Sequence, residues 1–161
     1  MTRIGEILGG TDGMRDRLTG LSSAAHAKAV LREWQESGGR HVQAMLLVLG
    51  DMGAVNIAFG QVVGDHVLVE TARRIAHFAE DEFGAGSYLA ARLDGGSFLL
   101  ALRQDCERER WQWLAEALAD AVALPVRHEE EGASVRLWPR VVLARAAARD
   151  TASLLLDSLA D

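Results

Sequence analysis

Apolar residues along the chain alternate between the 3.6-residue spacing of a helix face and the short runs typical of buried strands. The helical segments, bounded by glycines or capping residues, are 2–9, Ser22 or Ser23 to about Gln35, Asp51–Phe59, a long segment after Gly64, Arg108–Val122 and Thr151–Asp161. In the long segment the apolar side chains form one stripe. Asp65 is predicted to cap its first turn by accepting a backbone N–H.

Short apolar runs bounded by turn residues predict the strands. Val42–Leu49 is almost continuously apolar, which favours a central strand covered on both faces, although a buried helix has the same pattern. Two hairpins follow, Tyr88–Leu93 with Phe98–Leu102 and Val126–Glu129 with Ser134–Ala144. The first contains Asp94-Gly95, a pair favoured in tight turns whose two central residues have positive φ. This order of elements predicts an α/β fold with a sheet that is at least partly antiparallel.

Composition and charge narrow the class of protein. The 161 residues fit one domain, and 17 basic against 23 acidic residues give a net charge of −6, which argues against a nucleic-acid-binding protein. The single cysteine, Cys106, allows neither an intrachain disulfide nor a cysteine-based zinc site. Since no apolar run approaches the roughly 20 residues of a membrane span and no signal peptide is evident, we expect a cytoplasmic domain without direct membrane contact.

Motifs for familiar catalytic chemistry are scarce. The five histidines lack metal-ligand spacing, no glycine-rich loop continues into Lys-Ser or Lys-Thr, and Ser22-Ser23 is not in a nucleophile elbow. Glu129-Glu130-Glu131 could hold a cation, but three carboxylates at a hairpin tip are typical of a solvated turn. The residues by themselves therefore indicate no catalytic set.

Four segments, taken in order, resemble the GGDEF domains of the diguanylate cyclase family. They correspond to its D-x-L-T-G-L opening, its L-L-x-D-L-D strand end, its N-D-x-x-G-H-x-x-G-D run and its A-R-x-G-G-D-E-F hairpin. In this chain they are Asp16 to Leu21, Leu46 to Asp51, Asn56 to Asp65 and Ala91 to Phe98. The resemblance implies a palm-like fold, related to nucleotidyl cyclases and ferredoxin-like domains, with a mostly antiparallel central sheet flanked by helices.

The resemblance also implies a chemistry from which this chain departs. In the family, two domains that each hold GTP and metal meet to make cyclic di-GMP, and such chemistry needs carboxylates to bind the metal. Val48 and Gly50 stand at the two aspartates of the strand. The signature hairpin reads Asp94-Gly95-Gly96-Ser97-Phe98, so Gly96 and Ser97 replace its two acids. No catalytic residue and no metal ligand is therefore expected.

Neither Asp51 nor Asp94 is expected to replace the lost acids. Asp51 lies three residues beyond Val48, past the end of the strand. Asp94 replaces the first glycine of the signature, and a one-residue shift in a strand turns its side chains to the wrong face. Ala85 and Tyr88 stand at the arginine and aspartate of the product-inhibition motif. Feedback binding of cyclic di-GMP is therefore not expected there.

The chain retains residues that match part of the family's nucleotide-binding site. Asn56 and Asp65 match the family's guanine-reading residues, although Asp65 could persist only as a helix cap and Asn56 only as a partner of nearby backbone. Weak GTP binding could also use backbone N–H groups of Asp51, Met52 and Gly53, where Gly53 replaces a phosphate-contacting lysine. We therefore expect no cofactor, with Mg²⁺ and GTP present only where residual binding persists.

The leading hypothesis is a catalytically inactive GGDEF-type regulatory or dimerisation module over residues 12–161. We expect a helical lead-in over 1–11 and a longer multidomain protein from which this piece is cut. The expected partners are an attached sensor, an attached EAL phosphodiesterase domain and a second copy of the domain. The alternatives are an allosteric GTP sensor that controls an EAL domain, a residual diguanylate cyclase, or an interaction scaffold with exposed tryptophans.

Overall fold

The computed structural model describes residues 11–37, 41–103 and 106–147. Its helices are α1 Thr11–Met14, α2 Ala24–Ser37, α3 Met52–Phe59, α4 Gln61–Phe83 and α5 Arg108–Val122. Its strands are β1 His41–Leu49, β2 Tyr88–Asp94, β3 Ser97–Leu102, β4 Val126–His128, β5 Ala133–Val135 and β6 Pro139–Ala147. The predicted helices over 2–9 and from Thr151 lie outside the described residues. No helix among the described residues is long and apolar enough to cross a membrane.

The central sheet has four strands in the order β2-β3-β1-β6, and all three pairings are antiparallel. The almost continuously apolar β1 lies between β3 and β6, as expected for a strand covered on both faces. Helices α3 and α4 follow β1, and α5 precedes the β4–β5 hairpin, after which the chain enters β6. The predicted palm-like architecture, with a mostly antiparallel sheet flanked by helices, is confirmed.

Two layers of side chains pack on the sheet. On one face Met45, Leu47 and Leu49 contact the apolar stripes of α4 and α5, where Trp111 is buried. On the other face α2 covers Val42 and Ala44 together with their neighbours on β2 and β3. Because side chains alternate along a strand, Leu46 and Val48 lie on this second face, and both are only half-buried.

Local signals predicted several element ends correctly. Ser23 begins α2, since its hydroxyl accepts the backbone N–H of His26 at 3.1 Å. The helix over Arg108–Val122 has the predicted bounds. The hairpin also forms, but Asp94 pairs with Ser97, so Gly95 and Gly96 are its central residues. Only Gly95 has a positive φ, of 47°, so the expectation of two positive φ values is wrong.

The predicted start of the long helix is wrong. The helix begins at Gln61, because Gly60, with φ 92°, ends α3 by donating its N–H to the Asn56 carbonyl and then starts the next helix. Asp65 therefore lies in the second turn and is not a cap. Its Oδ1 accepts a hydrogen bond from Gln61 Nε2 at 2.8 Å, the i,i+4 geometry of a helix surface.

The second predicted hairpin is shorter than expected. Val126–His128 and Ala133–Val135 form a separate two-stranded sheet, and the predicted strand Ser134–Ala144 is divided. Its second half starts at Pro139 and joins the central sheet beside β1. Proline has no N–H for a strand ladder and is tolerated at a strand's first residue, which accounts for the division.

Candidate nucleotide site at the end of the central strand

Four side-chain positions form a row across the sheet where β1 ends. Val48 pairs with Ser97 on β3 and with Arg140 on β6, while Ser97 pairs with Asp94 on β2. Directly opposed residues of antiparallel strands share a face, so this row lies on the partly uncovered side of the sheet. The resemblance predicts that Val48 stands at the family's metal-binding aspartate, and its isopropyl group offers no oxygen to a cation.

Gly96, which the resemblance predicts to stand at a second metal-binding acid of the family, is closely surrounded. Its carbonyl accepts the N–H of Leu49 at 2.9 Å. A Cβ atom added to Gly96 would lie 3.0 Å from Met52 Cγ, 3.1 Å from Leu49 Cβ and 3.3 Å from the Leu49 carbonyl oxygen. The start of the side chain that would carry a carboxylate therefore meets Met52 and Leu49.

The magnesium ion that the resemblance implies does not fit these residues. Mg²⁺ requires oxygen ligands in near-octahedral geometry, whereas Val48 has none and Gly96 has no side chain. Asp51 and Asp94 are the nearby carboxylates, and both are exposed. Among residues 11–37, 41–103 and 106–147, no three or more histidine, cysteine, aspartate or glutamate side chains form a group that could hold a metal.

The residues predicted to offer backbone donors follow β1 directly. Asp51 has left-handed backbone angles, φ 62° and ψ 30°, and its carbonyl accepts the N–H of Val55 at 3.0 Å. Aspartate is one of the few non-glycine residues that tolerate this conformation. Its side chain makes no capping hydrogen bond, so the first N–H groups of α3, from Met52 and Gly53, have no side-chain acceptor from Asp51.

The two predicted guanine-reading residues lie at the same helix junction. The Asn56 side chain packs against Gly64, leaving no room for a Cβ there, and Gly64 directly precedes Asp65. Oδ1 of Asn56 is buried and has no hydrogen-bond partner among the described residues. A buried oxygen without a donor is unfavourable, so this amide is not explained as a partner of nearby backbone through that atom. Gln61, which binds Asp65, was not identified from the sequence.

The opening loop is bonded to the signature hairpin. Asp16 accepts hydrogen bonds from the Thr19 N–H at 2.8 Å and hydroxyl at 2.7 Å, and from Arg92 at 3.3 Å. Partial burial opposes ionisation of Asp16, but these hydrogen bonds and the Arg92 charge outweigh it and lower the pKa. Arg92 also donates to the Gly95 carbonyl at 3.0 Å. The backbone of Ser22 forms hydrogen bonds with Ala90 and Arg92 along the side of β2 that faces away from β3.

The product-inhibition positions lie at the opposite end of β2 from the hairpin. Ala85 is exposed in the loop after α4. Tyr88 begins β2 and donates its hydroxyl to Glu80 at 2.8 Å. Partial burial and the Glu80 carboxylate raise the pKa of the Tyr88 phenol. Neither side chain provides the arginine or the aspartate of that motif.

Comparisons with known proteins show the family to which the chain belongs. The family model described as "Diguanylate cyclase, GGDEF domain" matches residues 13–158. Diguanylate cyclase DgcN of Escherichia coli (strain K12) is 32% identical over 114 residues, which cover 70% of this chain and 27% of that protein. The chain thus spans only 27% of the length of this relative.

Solved structures show the same fold. Diguanylate cyclase SiaD from Pseudomonas aeruginosa, in complex with its activator SiaC, matches 98% of this chain and 59% of its own with a TM-score of 0.78 at 26% identity. The coiled coil and GGDEF domain of DgcB from Caulobacter crescentus, in complex with c-di-GMP, matches 98% of this chain and 85% of its own, with a TM-score of 0.77 at 18% identity. The chain therefore belongs to the GGDEF domain family of diguanylate cyclases.

Proposed function

We propose that this GGDEF domain is a regulatory or dimerisation module of cyclic di-GMP signalling that does not itself synthesise cyclic di-GMP. The observation that carries the proposal is the state of the two metal positions: Val48 offers no ligand, and Met52 and Leu49 crowd the space beside Gly96. Phosphoryl transfer is catalysed mainly by positioning and by metal ions that neutralise developing charge. A site that cannot hold the metal lacks both contributions.

A domain that has lost catalysis can still bind nucleotide, because different residues hold the base and the metal. Asn56 and Asp65 lie together at the α3–α4 junction, where Asp65 accepts a bond from Gln61 through Oδ1. We propose that they bind the guanine of GTP weakly. A carboxylate can accept hydrogen bonds from the adjacent N1–H and 2-amino group of guanine, a donor pair that adenine lacks, so the binding is expected to prefer GTP to ATP.

The proposed partners are an attached sensor or EAL phosphodiesterase domain and a second copy of this domain. SiaD is in complex with an activator and DgcB carries a coiled coil, which supports contacts between GGDEF domains and other segments or proteins. Two tryptophans offer apolar surface for contacts of this kind, since Trp113 is 60% exposed and Trp138 73% exposed. A cytoplasmic location is proposed because GTP is a cytosolic nucleotide.

Incubation of the purified protein with GTP and Mg²⁺ or Mn²⁺ tests the loss of synthesis. Cyclic di-GMP is quantified by liquid chromatography, with diguanylate cyclase DgcN as the positive control. We expect no product above the level of an enzyme-free sample. Accumulation of cyclic di-GMP with time and in proportion to protein concentration would overturn the proposal and favour a residual cyclase.

A GTP sensor is the second candidate function, and the buried Oδ1 of Asn56, which has no partner within the described parts of the chain, favours it. Calorimetric titration is expected to show a heat of binding for GTP that exceeds that for ATP. Asp65→Ala should abolish this difference, whereas Asp120→Ala, which removes an exposed carboxylate on α5, should not. Equal, weak binding of both nucleotides to the wild type would exclude a guanine sensor.

A further inference from the structure

The row of Asp94, Ser97, Val48 and Arg140 across the end of the sheet contains one arginine, which lies next to Val48. Arg140 is directly opposite Val48 in the β1–β6 pairing, and its side chain is exposed. Neighbouring strands are about 4.8 Å apart, so an extended arginine side chain can reach over the small Val48. Ser97 flanks Val48 from the other side and carries a hydroxyl. A guanidinium and a hydroxyl are therefore carried by the two residues that flank Val48 in the row.

The side chain of Arg140 is available to a ligand. No residue in the described parts of the chain forms a hydrogen bond or ion pair with its side chain. Arg92, the cation beside the hairpin, is instead held by Asp16 and by the Gly95 carbonyl. The only lysine, Lys28, is in α2.

The acidic charges around the row oppose the binding of an anionic ligand, and a cation beside them offsets this repulsion. Asp94 belongs to the same row on β2, and Asp51 follows β1; both carboxylates are exposed and repel a phosphate. The protein as a whole carries a net charge of −6. With no metal ligands at Val48 and Gly96, Arg140 is the cation in the row that can offset this repulsion.

We propose that Arg140, with the Ser97 hydroxyl, forms a metal-independent binding site for the phosphate groups of a nucleotide. Guanidinium groups bind phosphate through paired N–H···O bonds, and their charge does not depend on a divalent cation. The inference rests on the proposed function, a domain that binds GTP without turning it over. It adds that the binding survives the removal of Mg²⁺.

Calorimetric titration in EDTA, with GTP and separately with inorganic triphosphate as the probe, tests this site. We expect both probes to bind the wild type, with affinities that fall as salt is raised. Arg140→Gln should weaken both by about five- to tenfold, as expected for the loss of a charge-assisted contact at an exposed site. The matched control is Arg127→Gln, which removes an exposed arginine from β4 and should leave both affinities unchanged.

Three results would overturn the inference. They are equal affinities of Arg140→Gln and wild type, no binding of either probe to the wild type at millimolar concentration, and binding that appears only when Mg²⁺ is added. Each of these leaves the proposed loss of synthesis intact. Formation of cyclic di-GMP in the synthesis assay would instead overturn the proposed function, so the two failures are distinguishable.

Discussion

Substitution of Gly96 by alanine tests how closely Met52 and Leu49 pack around the signature hairpin. Gly96 lacks a positive φ, so alanine meets no backbone penalty there. Its Cβ would lie 3.0 Å from Met52 Cγ and 3.1 Å from Leu49 Cβ, well inside the usual carbon contact of about 3.5–4.0 Å. The neighbours must therefore move by a few tenths of an ångström.

The cost can be bracketed from these contacts. Overpacking of a filled site typically costs about 1–3 kcal/mol, and one added methyl group belongs at the low end. We therefore expect Gly96→Ala to lower the free energy of unfolding by about 1 kcal/mol. Met52 has a flexible side chain, so the variant Met52→Ala should remove part of this penalty, while the contact with Leu49 remains.

Urea denaturation of the wild type, both single variants and the double variant measures the coupling between the two positions. A double-mutant cycle is expected to give a favourable coupling of about 0.5 kcal/mol or more for Gly96→Ala with Met52→Ala. Gly53→Ala is the matched control. Nothing lies within 4 Å of its added Cβ, and as a helix residue it should keep or raise stability. Additive effects at Gly96 and Met52, or an unchanged Gly96→Ala protein, would refute the packing argument.

Three further predictions concern the long helix. Arg74→Ala should lower the free energy of unfolding by about 2 kcal/mol, because Arg74 donates to the carbonyls of Val122, Leu124 and Pro125 at 2.6–3.1 Å. The control Arg73→Ala removes only the contact with Glu70 and should cost about 1 kcal/mol or less. Equal losses of the two variants in urea denaturation would contradict this prediction. Hydrogen bonds from Arg73 lower the pKa of Glu70 to about 2 despite partial burial. The ionised Glu70 therefore stabilises the fold fully above the unfolded pKa of 4.5, and this contribution is lost as the pH falls towards 2. Glu70→Gln should flatten the dependence of stability on pH in that range, and an unchanged dependence would disprove the role of Glu70. Gly64→Ala should destabilise the protein by about 1–3 kcal/mol, because the Cβ of the alanine meets the Asn56 amide. In thermal unfolding, recovery of stability on adding Asn56→Ala would confirm this clash, and no recovery would refute it.

Sequence reasoning succeeded where the signal is local. The capping hydroxyl of Ser23 and the apolar run of β1 each lie within a few residues of the feature that they specify. It failed at Asp65, because an aspartate after a glycine resembles a helix cap. In the structure Gly64 is instead the contact point for Asn56 from another helix. That contact joins two elements and has no signature in the local pattern.

The candidate site shows the same division. The missing carboxylates at Val48 and Gly96 follow from the sequence once the resemblance is accepted. The crowding of Gly96 by Met52 and the position of Arg140 opposite Val48 do not. Both depend on strand register and on the course of the chain after β1, which are set by tertiary pairing. The position of Arg140 in the central sheet was also not predicted, because Ser134–Ala144 was expected to be one continuous strand through Pro139.

The backbone bonds of Ser22 have a consequence for how the sheet avoids aggregation. The strand β2 is an edge strand, and an unpaired edge is a template for the addition of a strand from another molecule. Ser22 occupies that template, since its N–H bonds the Ala90 carbonyl at 3.1 Å and its carbonyl accepts from Arg92 at 3.0 Å. A fragment that starts after Ser22 would uncover the edge and be prone to self-association, so a workable truncation must begin before Asp16.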